Sequence, residues 1–131
     1  MEKTFLLIKP DGVRKKLIGE ILKRTEDEGF KILDLKMARL STNQASKFYR
    51  VHKGKPFFEK LVKFICSGEV VAVLLGRNNA VRKLREIVGA TDPREAKRGT
   101  IRYDLATDVT RNVVHASDSA QSFRFESKFF F

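Results

Sequence analysis

The stretch "EVVAVLL" (residues 69–75) constrains the fold more than any other part of the chain. Its apolar residues run without a polar partner to alternate with. A strand of this kind must be covered on both faces, which predicts a central strand. "KTFLLIKP", near the amino terminus, predicts a second buried strand, ended by Pro10 and the Asp11-Gly12 turn pair. Leu17, Ile18, Ile21 and Leu22 then recur at helical spacing, and Gly29 closes that helix. From Phe30 the period changes. Leu33, Leu35 and Met37 alternate with Asp34, Lys36 and Ala38, the pattern of a strand with one wet face.

Ser41 followed by Gln44 is a capping-box signature for a helix running to about Val51. Pro56 opens another, with Phe57, Phe58, Leu61, Val62 and Ile65 expected inward and Gly68 as its stop. Val81, Leu84 and Val88 mark an amphipathic helix ended by Gly89. Residues 89–101, "GATDPREAKRGTI", have no periodicity, and a loop of that length in a small domain is usually functional or disordered. "RNVVHA" reads as a short strand, "SDSAQSF" as a helix opened by Ser117, and "ESKFFF" as an ending strand or packed tail. Strands and helices in this order predict an α+β fold, a small sheet backed by helices, in one domain spanning residues 1–131.

Composition narrows the function by exclusion. One cysteine, Cys66, rules out an internal disulfide and any multi-cysteine zinc site, and fits a reducing compartment. "MEKTFLLIKPDG" does not read as a signal peptide, and no run approaches the ~20 apolar residues of a membrane span, so a cytoplasmic setting is expected. Neither a P-loop nor a G-x-G-x-x-G fingerprint is present. H-E-x-x-H is also missing, and the two histidines lie far apart, at 52 and 115.

The formal charge of +11 points to an anionic partner. From Arg77 to Arg102 eight basic residues face three acidic ones, so the excess is concentrated there. Lys9, Arg14, Lys15 and Lys16 form a second cluster around "KPDG". Charge alone would also suit a nucleic-acid-binding protein, whose affinity should fall steeply with salt. The aliphatic "EVVAVLL" lacks the aromatic residues with which RNA-recognition sheets stack bases.

"VVHASDS" (113–119) holds the more informative histidine. His115 sits at the end of a predicted strand and just before a predicted helix, where backbone N–H groups favour anions. Taken alone, the residues leave a structural histidine and a reactive one about equally supported. Four segments in order, "KPDGVRKKLIGEI", "PFFEKLVKFICSGEVVAVL", "GATDPREAKRGTIR" and "RNVVHASDS", resemble the successive signatures of the nucleoside diphosphate kinase family from Lys3 to the end of the chain.

That resemblance implies a ferredoxin-like α/β sandwich with a four-stranded antiparallel sheet. It implies ping-pong transfer of a γ-phosphate, mainly from ATP, to nucleoside diphosphates through a phosphohistidine at His115. Imidazole suits the part, because it is largely neutral at pH 7 and nucleophilic. By the same resemblance Glu126 orients the imidazole, Ser117 stands beside it and Tyr49 lies close to it. Lys9, Arg85, Thr91 and Arg102 match the phosphate binders, Asn112 the sugar ligand, and Phe57 with Leu61 the base contact.

Mg²⁺ is implied through the nucleotide phosphates, without direct protein ligands. A homo-oligomer is implied as well, hexameric by preference, with tetramers or dimers as alternatives. Ala116 stands where glycine is usual, Tyr103 where glycine is common, and Arg98 where proline is common. Relatives usually continue beyond "KFFF" with a tail that packs on a neighbouring subunit, and the terminal phenylalanines are expected to be buried. Two other functions remain open at this point: a catalytically impaired nucleotide-binding relative, and a nucleic-acid partner as a secondary role.

Overall fold

The computed structural model describes residues 1–131. Four strands, β1 (Glu2–Ile8), β2 (Lys31–Ala38), β3 (Val70–Arg77) and β4 (Val114–Ala116), form one sheet in the order β2-β3-β1-β4. Every pairing is antiparallel. The helices are α1 (Pro10–Arg14), α2 (Ile18–Asp27), α3 (Thr42–Phe48), α4 (Phe58–Ile65), α5 (Ala80–Val88), α6 (Ile101–Leu105) and α7 (Ala120–Ser127), with a 3₁₀ turn at Arg50–His52. This is the α+β sandwich expected from the sequence.

The apolar runs occupy the two inner strands, β1 and β3, because helices cover both of their faces. Side chains alternate between two cores. Leu6 and Ile8 of β1 and Val71, Val73 and Leu75 of β3 pack with Ile21, Leu84, Val88 and Ile101. Phe5 and Leu7, with Val70 and Ala72, pack on the other side with Ala45, Phe48, Val62 and Ile65. Phe130 joins this second core, stacked on Phe5 with ring centroids 5.6 Å apart. The carboxyl-terminal "KFFF" is therefore a packed tail, with Phe130 buried and Phe129 partly so, while Phe131 is exposed and departs from the expected burial.

Local signals explain most boundaries. Ser41 Oγ accepts from Gln44 N–H, and Gln44 Oε1 accepts from Ser41 N–H, a complete capping box. Gly89 ends α5 at φ +91°, and a β-carbon there would lie 2.6 Å from Thr100 Oγ1, so only glycine fits.

Five other expectations are corrected. Pro10-Asp11-Gly12 is the first turn of a short helix, α1, with proline at its start, and not a simple turn. The Ser41 helix ends at Phe48 and gives way to the 3₁₀ turn. Leu35 and Met37 of β2 are exposed although they stand opposite Val73 and Val71 on the first core's side of the sheet, because β2 is an edge strand and the helices on that side do not cover them. The aperiodic stretch after Gly89 stops at Thr100, whose hydroxyl caps α6 by accepting from Tyr103 N–H. Ser119, and not Ser117, caps α7.

Candidate active site

His115 is the middle residue of β4, opposite Leu7 of β1. The two-residue period puts Val114 and Ala116 into the first core and turns His115 to the other face. There its ring meets Phe48 edge-on, with centroids 5.2 Å apart, and Tyr49 at 6.5 Å and 90°. Phe48 was not singled out from the sequence, where it reads as an ordinary core residue of α3.

The entry to β4 is strained. Val113 has φ +64°, a left-handed conformation that β-branched residues avoid. Three contacts hold it. Val113 N–H donates to Asp11 Oδ2 at 3.0 Å, and Val113 O accepts from Lys9 N–H at 2.8 Å. Gly12 lies so close that a β-carbon there would be 3.0 Å from Val113 O. The Pro10–Gly12 segment thus clamps the backbone two residues before His115. Asp11 is a second residue that sequence reasoning passed over. Its one signal was a carboxylate placed directly after a strand-ending Lys-Pro.

Glu126, on α7, approaches the imidazole with Oε2 2.9 Å from Nε2, while its Oε1 accepts from Ser117 Oγ–H at 2.6 Å. The imidazole contact is close but lies outside the geometry of an aligned N–H···O bond, so the sealed Nε2 has no completed hydrogen bond in this state. A carboxylate partner favours the proton on Nε2. Nδ1 has no protein partner, and its lone pair is the one free to react. Tyr49 is buried, and burial, reinforced by Glu126, raises its hydroxyl pKa, which keeps it a neutral donor.

The cations around β4 share one property. Lys9 Nζ donates to Thr110 O and to Asn112 Oδ1, each at 2.9 Å. Arg102 donates to Gly89 O at 3.2 Å and Val114 O at 2.7 Å, and its Nε is sealed without a partner. Arg85 donates to Ala116 O at 3.2 Å. None of the three forms an ion pair with a carboxylate, although the molecule has seven lysine or arginine pairs of that kind elsewhere.

Buried charge without a counter-ion is costly, and the proton affinities record it. Burial pushes Lys9 down to about 8, against the pull of Asp11. Burial, with Arg85 nearby, likewise lowers Arg102, which stays charged at neutral pH. A polyanion entering here would supply the missing counter-charge.

Asn112 ties this group to the 89–100 loop, its Nδ2 donating to Thr91 O and to Val109 O. The Thr91 side chain is exposed at the rim. Phe57 lies outside the cations, at the start of α4 and 44% exposed, so it does not face inward as its spacing suggested. Its ring meets His52 edge-on at 5.3 Å, with Lys55 5.8 Å from its centroid. Leu61, one turn along, packs on the second core. The structure therefore gathers His115, Glu126, Ser117, Tyr49, Lys9, Asn112, Arg85, Arg102 and the Thr91 backbone around β4. Phe57 connects to them only through the rings of His52 and Tyr49.

Comparison with known proteins agrees along the whole chain. The family model described as "Nucleoside diphosphate kinase" matches residues 2–131. A nucleoside diphosphate kinase of Hyperthermus butylicus is 52% identical over 131 residues, covering 100% of this chain and 92% of that protein. One from Anaeromyxobacter sp. is 50% identical, covering 100% and 89%. Among solved structures, the Aquifex aeolicus nucleoside diphosphate kinase superposes with a TM-score of 0.96 at 44% identity, covering 99% of this chain and 94% of that one. A halophilic nucleoside diphosphate kinase from Halobacterium salinarum, in complex with CDP, gives 0.96 at 41%, covering 99% and 87%.

Proposed function

The chain belongs to the nucleoside diphosphate kinase family and has its activity, and we propose that the transferred phosphoryl group is carried on Nδ1 of His115. One observation supports this above the others. The unpartnered nitrogen of a Glu126-backed imidazole lies among three cations that have no carboxylate of their own.

In the first half-reaction the Nδ1 lone pair attacks the γ-phosphorus of a nucleoside triphosphate. The bond from that phosphorus to the β–γ bridging oxygen breaks, and the diphosphate departs with its electron pair. An acceptor diphosphate then enters, and one of its terminal oxygens takes the phosphoryl group from nitrogen, restoring the free imidazole. Phosphoryl transfer asks the protein mainly for alignment and charge. Lys9 and Arg102, fixed by buried carbonyls, and Arg85 on the Ala116 carbonyl meet the phosphate oxygens. Glu126 steadies the charge that grows on the ring as Nδ1 bonds to phosphorus. Ser117 holds Glu126 in place, and Tyr49 and Phe48 wall the ring.

Asn112 would meet a sugar hydroxyl through the second lone pair of Oδ1, since Nδ2 already donates to Thr91 O and Val109 O. Phe57 and Leu61 receive the base, and a π-face accepts any base. Thr91 supplies the rim of the phosphate site. Mg²⁺ would arrive on the phosphates of the nucleotide and screen their charge, since no grouping of three His, Cys, Asp or Glu side chains could hold it.

We further propose that residues 1–131 act as one domain in a cytoplasmic homo-oligomer, a hexamer by preference. The edge strand β2, with Leu35 and Met37 exposed, supports a contact between copies. No helix is long and apolar enough to cross a membrane.

The test of the chemistry is direct. Incubation with γ-labelled ATP should leave acid-labile label on the protein, and His115→Ala should remove it. Label that survives in the variant, or that is acid-stable, overturns the assignment.

A further inference from the structure

Behind the wall that carries Lys9 lies a second cleft, of about 460 Å³, between α1, α4 and residues 108–111. We propose that it is an anion subsite for a linear oligophosphate, separate from the phosphate cradle at His115. Arg14, Lys60, Lys63 and Arg111 line it. Asp108 is the one carboxylate there, and Arg111 already engages it through Nε at 3.0 Å and Nη2 at 2.6 Å. Backbone N–H groups of Thr110 and Arg111 hold its other oxygen. Arg14 has only a 3.4 Å contact with Ser67 Oγ, and Lys60 and Lys63 make no ion pair. The cleft therefore presents an excess of three positive charges converging on one concavity.

Its back wall makes this more than surface charge. Lys9 Nζ and the Arg14 guanidinium lie 5.4 Å and 6.0 Å from the centroid of the same ring, Phe64. Thr110, which lines the cleft, accepts the Lys9 ammonium on its carbonyl. Phe64 thus carries a cation from each site, and an anion in the cleft would lie against the ring and the Thr110 carbonyl that also hold Lys9. The chemistry favours a phosphate chain over a compact ion, because Arg14 on α1 faces Lys60 and Lys63 on α4 across the cleft, so that several anionic groups can be met at once. It favours phosphate over a nucleoside, because the one aromatic wall is already flanked by cations. Two sources share this chemistry, the tail of a second nucleoside triphosphate and inorganic polyphosphate. The cleft touches the Lys9 wall and not the reacting atoms, so occupancy should act on nucleotide turnover only through Lys9 and change kcat/KM.

The probe is sodium tripolyphosphate, titrated calorimetrically into the full chain saturated with Mg-ADP so that the His115 cradle is filled. ADP binding is measured first, which separates failure of this subsite from failure of the nucleotide site. One further site per chain is expected, weakening as salt rises. The Arg14→Gln/Lys60→Gln/Lys63→Gln variant should weaken it by about tenfold or more with kcat unchanged. Lys47→Gln/Lys128→Gln, on exposed positions elsewhere, is the charge control and should leave it intact. Binding lost equally in the control, or no binding to the ADP-saturated protein, overturns the proposal. Repeating the titration with ATP assigns the source: a second ATP per chain, lost in the triple variant, marks the nucleotide tail. Tripolyphosphate alone filling the cleft marks inorganic polyphosphate.

Discussion

Lys9, Arg102, Asn112 and Ser117 are buried and cross-linked by hydrogen bonds from three parts of the chain, whereas Phe57, proposed for the other end of the site, is 44% exposed and has only the His52 ring and the Lys55 ammonium beside it. The phosphate end is rigid because charge development at the reacting phosphorus rewards donors that need not reorganise. The proposed base end can stay open, because a flat ring needs only a flat neighbour. On the proposed reading, one end should decide the rate and the other how firmly a nucleotide is held. That difference can be broken by substitution, and the effects should fall in size from the imidazole outward.

His115→Ala should lower kcat by on the order of 10⁴-fold or more and abolish the phosphoenzyme, read by coupled transfer assay and acid-labile labelling. Lys9→Gln comes next, with kcat/KM down by about 10²–10³-fold, because a fixed cation at the phosphates is lost. A variant that raises KM alone, with kcat intact, would place Lys9 at the binding end of the comparison.

Lys9 also ties the site to stability. Its ammonium titrates near 8 in the folded protein against an ordinary 10.5. Between those values the unfolded chain holds more protons, so stability should rise with pH across the window, by about 3 kcal/mol in all. Below pH 8 both states are protonated and the burial penalty is fully present. Urea unfolding of the free protein at pH 7.5 and 10, compared with Lys9→Gln so that other groups cancel, should show this slope. Saturating nucleotide should flatten it.

Glu126→Gln should reduce kcat by about 10- to 100-fold, since an amide can still hold the ring but cannot balance its growing charge. Smallest is Phe57→Ala, with KM up by about tenfold and kcat nearly unchanged, measured with a purine and a pyrimidine diphosphate. A fall in kcat as large as that of Lys9→Gln would show that the base end also positions the reacting phosphate.

Legibility followed the same division. The apolar runs of β1 and β3, the Ser41–Gln44 box and Gly89 were readable because each depends on neighbours a few residues away. The exposure of Leu35 and Met37 was not, because whether a helix covers an edge strand depends on packing that the alternation of residue types does not record. Ser117 looked like a cap because serine before a helix usually is one. Its hydroxyl instead meets Glu126, nine residues away. α6 is a single five-residue helix without a periodic face, so no pattern could announce it.

By itself the sequence determined the α+β architecture and the set of chemical groups in the site. Hydrophobic periodicity dictates burial, and the ordered motifs from "KPDG" to "HASDS" identify the family. Only the tertiary structure decided that Lys9, Arg85 and Arg102 stand without carboxylate partners, that Asp11 clamps a strained Val113, and that Glu126 faces Nε2 and leaves Nδ1 free. Those contacts join residues up to 102 positions apart. Their energies depend on distance and desolvation, which residue order does not encode until the chain has folded.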